Sequence, residues 1–105
     1  MAYNSTVTIT SSIDMSKEEY GNYNVYFLDG IKEDIIITLP LNVWDGLTYD
    51  FIRIDANESV NVIINSFDKE TTINNTTTLT IPINSKVQTI FSNKNWVAPL
   101  VRVSY

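Results

Sequence analysis

Between Ile35 and Trp96 the chain divides its apolar residues into short runs that alternate with polar ones, and Asn, Asp, Gly or Pro closes nearly every run. Ile35 to Pro40, Thr48 to Asp55 and Val60 to Asn65 are each too short for a stable helix and too rich in β-branched side chains to favour one. Period-two alternation broken by turn residues is the pattern of strands half-buried on a sheet. Ile, Thr and Asn are the commonest residue types, and the helix-favouring Ala, Leu and Glu are scarce.

The same pattern extends towards the N-terminus. Thr6-Val7-Thr8-Ile9-Thr10 alternates strictly and sends Val7 and Ile9 to one face. Ser16-Lys17-Glu18-Glu19 has the Ser-x-x-Glu form of a capping box, but Gly21 and Asn22 follow so closely that at most one helical turn fits. Asn24 to Leu28 and Asp34 to Leu39 flank Asp29-Gly30, which predicts an antiparallel hairpin with Ile31 to Glu33 lengthening its turn. In Thr48 to Asp55, Ile52 and Ile54 point one way and Phe51, Arg53 and Asp55 the other, dividing inside from outside. Further strands are predicted at Val60 to Ile64, Thr71 to Ile73, Thr77 to Ile81, Val87 to Phe91 and Trp96 to Val103. Pro99 interrupts the last one and places it on an edge or at a bulge. The expected fold is all-β: one domain over residues 1–105, an antiparallel β-sandwich, jelly roll or small barrel of eight or nine short strands. Val-x-Ile and Leu-Thr-Ile recur too loosely to indicate a solenoid.

Composition narrows the function. The net charge of −5 is spread along the chain and Lys and Arg never cluster, so nucleic acid is not an expected partner. No apolar run approaches the roughly 20 residues that span a bilayer, and Met1 to Thr6 lacks the charged and apolar regions of a secretory signal. Synthesis in the cytoplasm with no membrane partner is the expectation. Asn-x-Ser/Thr sequons at Asn4, Asn57, Asn74 and Asn75 carry little weight in a chain so rich in Asn and Thr. There are no cysteines, and a small domain without disulfides commonly gains stability by self-association.

The residues that usually carry catalysis are sparse. Without histidine, proton transfer would fall to Asp, Glu, Lys or Tyr, and most of the acidic residues sit in turns or beside other charges. We expect no catalytic residue, no metal site and no cofactor; a glycosidase acting through two carboxylates is the one enzyme class worth weighing. Tyr20, Tyr23, Tyr26, Trp44 and Trp96 cluster near predicted turns and are candidates for an interface or a glycan-stacking platform. The competing role for such residues is to plug the ends of a β core.

From Ile35 to Trp96 the chain resembles the β-rich modules of virion appendages in double-stranded DNA viruses, including phage tail-fibre, head-fibre and capsid-surface proteins. The matching segments are Ile35 to Pro40, Gly46 to Asp55, Val60 to Ile64, Thr71 to Asn74, Thr77 to Ile81, Val87 to Phe91 and Trp96. The closing hairpin, Ser92-Asn93-Lys94-Asn95, lacks the Gly that usually precedes the Trp of these modules. The resemblance implies a non-enzymatic structural protein of the virion, a capsid decoration, minor capsid or fibre component. It also implies a homo-oligomer, a trimer foremost, that contacts other virion proteins and in some cases a host glycan.

Overall fold

A computed structural model describes residues 5–17, 23–40, 43–68 and 70–102. Tyr20 and most of the predicted helical turn fall outside these residues, and among the described ones there is no helix. Among the described residues ten strands form two sheets: β1 Thr6–Ile9, β2 Ile13–Asp14, β3 Val25–Leu28, β4 Ile35–Thr38, β5 Thr48–Arg53, β6 Val62–Asn65, β7 Thr78–Thr80, β8 Ser85–Ser92, β9 Asn95–Val97 and β10 Leu100–Arg102. The larger sheet runs β1-β3-β5-β8-β10 with β9 also on β8, and the smaller runs β2-β4-β6-β7.

The fold is all-β, as expected, but the antiparallel expectation fails for its first six strands. Among these six, odd-numbered strands enter one sheet and even-numbered ones the other, so that β1, β3 and β5 pair in parallel, as do β2, β4 and β6. The chain therefore winds as a coil through both sheets, each turn resting on the one before. Only from β7 onward does the pairing become antiparallel.

Asp29-Gly30 explains the difference. Gly30 takes a positive φ of 67°, as a turn requires, and its N–H donates to Asp29 Oδ1 at 2.9 Å. Yet the chain after it does not fold back, because Ile31 buries itself between the sheets and draws the chain across to β4. The corners of successive turns are tied together: Asn57 Nδ2 donates to the Ile31 carbonyl at 3.1 Å, and Asn61 N–H to Asp34 Oδ1 at 2.7 Å. Ser12 Oγ likewise accepts the Ile36 N–H at 2.9 Å. The coil was hidden from a repeat search because Thr6 lies beside Val25 and Val25 beside Asp50, unequal intervals with no fixed period.

Both sheets contribute to one core, with Ile9, Tyr26, Leu28, Phe51 and Val87 from the larger and Ile13, Ile35, Ile37, Val62 and Ile64 from the smaller. The inside face of β5 is the one that carries charge. Phe51, Arg53 and the following Asp55 are buried, while Ile52 is half-buried and Ile54 exposed. Burial is tolerable because all three nitrogens of the Arg53 guanidinium find acceptors: Nε meets Asp55 Oδ1 at 2.9 Å, and Nη1 the Ile81 carbonyl at 2.7 Å. Its Nη2 reaches the carbonyls of Asn57 and Val60 at 2.9 and 3.1 Å. One side chain thus pins the corner after β5 to the connection between β7 and β8.

Candidate interaction surface

The predicted aromatic cluster separates into core and surface. Tyr26 and Trp96 are 0% and 1% exposed, so neither offers a face to a sugar or a partner, and the expectation for these two is corrected. They plug the core instead. Tyr26 stacks on Phe51 with centroids 5.1 Å apart and meets Tyr23 and Tyr49 edge to face; Tyr49 leads to Trp96, and Trp96 to Phe91. Burial pushes the Tyr26 and Tyr49 hydroxyls above the ordinary tyrosine pKa. Tyr23 is half-buried against this row.

Trp44 differs from the others, at 70% exposed. It opens a tight turn in which Leu47 N–H donates to the Trp44 carbonyl at 3.2 Å and Gly46 has φ 89°. The turn is clamped to β8, with Gly46 N–H on the Phe91 carbonyl at 2.7 Å and Asn93 N–H on Asp45 Oδ1 at 3.3 Å. The indole is therefore presented on a fixed backbone.

A broader apolar surface covers the outside of the six-stranded sheet. The register sets Phe27 beside Ile52, Ile52 beside Lys86 and Lys86 beside Val101 in one row. A second row sets Thr48 beside Ile90 and Ile90 beside Val97. Between them lie Asp50 and Gln88, with Lys86 Nζ 4.0 Å from Asp50 Oδ2. Val97 and Val101 are exposed, and Phe27, Ile52 and Ile90 half-exposed. The outside of a sheet in a lone soluble domain is usually more polar than this. On the other sheet, Ile36 and Ile63 are outward-facing neighbours.

The grooves are shallow by comparison. One of about 210 Å³ lies between Asn65 to Asp68 and Thr77 to Thr78, and another of about 320 Å³ runs from Arg53 past Glu58 and Asn61 to Pro82. Arg53 spends its donors within the fold, so it brings no free charge to the second. Among the described residues no three acidic side chains gather as a metal site would need. Asp14 is held below the usual carboxylate range by hydrogen bonds from the Ser16 hydroxyl and N–H, which suits a turn-forming acceptor.

Nothing in the sequence marked this surface, because alternation divides a strand such as β5 into two faces without saying which of them is buried. Only the burial of Arg53 and Asp55 turns Ile52 outward, and the buried ion pair gives no local sequence signal beyond an Arg-x-Asp spacing. In comparisons with known proteins, no family model, curated protein or solved structure matches the chain.

Proposed function

We propose that this chain is a structural protein that works by assembly, joining copies of itself and neighbouring proteins, as a capsid decoration, minor capsid or fibre component of a virion. The observation that carries the reading is the outer face of the six-stranded sheet, where Phe27, Ile52, Ile90, Val97 and Val101 leave an apolar surface only partly covered. Covering it with another protein surface would recover the hydrophobic stabilisation that exposure forfeits. The virion setting is supported by the resemblance over Ile35 to Trp96. Light scattering after size-exclusion chromatography is expected to show species larger than a monomer at high concentration, a trimer being the form that the resemblance favours. A strict monomer at all concentrations would overturn the reading, and cross-linking within a purified particle would locate the chain.

A second reading, carbohydrate binding, rests on the exposed Trp44 indole and its clamped turn. It requires a saturable change in Trp fluorescence on sugar titration that is lost in Trp44→Ala.

A further inference from the structure

β9 and β10 form the last edge of the six-stranded sheet, and the hydrogen bonds along that edge are unevenly filled. Both strands keep a single register on β8 across the interruption at Ala98-Pro99, since Trp96 pairs with Phe91 and Leu100 with Val87. Gln88 N–H donates to the Pro99 carbonyl at 3.3 Å, so Val97, Pro99 and Val101 direct their backbone groups towards β8. By alternation, Trp96, Ala98, Leu100 and Arg102 direct theirs outward.

The first two outward positions are occupied. Trp96 N–H donates to the Thr72 carbonyl at 2.8 Å, and the Trp96 carbonyl accepts from Asn74 N–H at 3.0 Å. Ala98 is capped by one side chain: its N–H donates to Asn74 Oδ1 and its carbonyl accepts from Asn74 Nδ2, both at 2.8 Å. The Asn74 amide thus stands in for one residue of a neighbouring strand. Beyond it, Leu100 and Arg102 have no such cover among the described residues, and Leu100 and Val101 are 43% and 59% exposed.

We propose that this uncovered segment of β10 pairs antiparallel with β10 of a second copy about a two-fold axis centred on Val101. It rests on the assembly reading and names one contact within it, a two-fold edge that joins copies as a dimer in place of the trimer that the resemblance favours. In that register the outward N–H and carbonyl of Leu100 face those of Arg102 in the other copy, and the reverse, so four hydrogen bonds fill the open positions of the described residues on both edges. Shifting the register towards Leu100 drives the second copy into the Asn74 cap. Shifting it the other way sets Arg102 opposite Arg102, a like-charge pair that an antiparallel ladder disfavours. The two-fold pairing instead lays each arginine stem beside a leucine and brings the two Val101 side chains together at a non-hydrogen-bonded position.

The test uses the full chain, which has no native cysteine. Val101→Cys is expected to oxidise to a covalent dimer about tenfold faster than Glu58→Cys at an exposed corner, because pairing holds the two thiols at high effective concentration. Leu100→Pro deletes an outward N–H that β8 does not use, and it is expected to weaken association while circular dichroism and the unfolding midpoint stay near wild type. Arg102→Pro deletes the other outward donor and serves if the first variant misfolds. If Val101→Cys dimerises no faster than Glu58→Cys while the wild type still associates, the two-fold contact is overturned and the assembly reading stands. If the wild type is also monomeric throughout, both fall. A Val101→Cys chain that cross-links to a Thr8→Cys chain in preference to itself would assign the edge to β1 of a neighbour and overturn the two-fold form.

Discussion

Arg53 and Lys94 are single residues held in settings unfavourable to them, one a buried charge and the other a left-handed backbone. Replacing Arg53 with Met removes the cation but leaves the Asp55 carboxylate and three carbonyls behind, all buried or partly so. An abandoned charge in a core costs roughly 3–5 kcal/mol, a large share of a small domain's stability. Urea unfolding of Arg53→Met should show that loss, and adding Asp55→Leu should return part of it. Lys94 is the milder case. Asn93 and Lys94 have φ of 51° and 67°, the two positive angles of a type I′ turn joining β8 to β9. A lysine in the left-handed region is strained, so Lys94→Gly is expected to stabilise by about 0.5–1 kcal/mol, visible as a rise of a few degrees in Tm. The missing glycine of the closing hairpin therefore leaves the turn type unchanged and raises its energetic cost.

At the scale of elements, strand positions were largely legible and strand partners were not. Alternation located Thr6 to Ile9, Val25 to Leu28, Ile35 to Thr38 and Thr48 to Arg53 because it reports burial on one face, a local property. Pairing is decided by where a connection leads, and Ile31 overrode the hairpin signal of Asp29-Gly30 through its burial. Thr71 to Ile73 was expected as a strand and is instead a bridge: Ile73 pairs with Thr76 around Asn74 and Asn75, both at positive φ, and on its other side with Trp96. Pro99 does lie on an edge, without a bulge. The sequon at Asn74 gave no hint of its use as an edge cap, since nothing local distinguishes an amide that bonds across the fold. Asn74→Ala should cost about 1–3 kcal/mol by leaving Ala98 unpaired and by placing a Cβ residue without side-chain compensation at φ 51°. Faster amide exchange at Ala98, with little change at Val97, would locate the effect on the outward side of the edge.

On the scale of the whole molecule, the row of rings from Tyr23 through Tyr26 and Tyr49 to Trp96 runs through the core and links its stability to pH. The folded chain keeps the Tyr26 and Tyr49 hydroxyls protonated beyond the ordinary range, while the unfolded chain ionises them near pH 10. Stability from these two groups is therefore intact below about pH 10 and declines as pH rises above it, because ionisation then favours the unfolded state. Absorbance at the tyrosinate band should show two of the six tyrosines titrating together with the loss of circular dichroism, not before it. The coil itself carries a different consequence. Its turns rest on one another by strand register and differ in length, so the corner residues that make no tie to a neighbouring turn are free to vary as long as the next strand lands beside the last. Such an architecture accommodates insertions at its corners, and Lys32 and Glu33, exposed between the tied Ile31 and Asp34, mark a place where a foreign peptide could be displayed without redrawing the sheets.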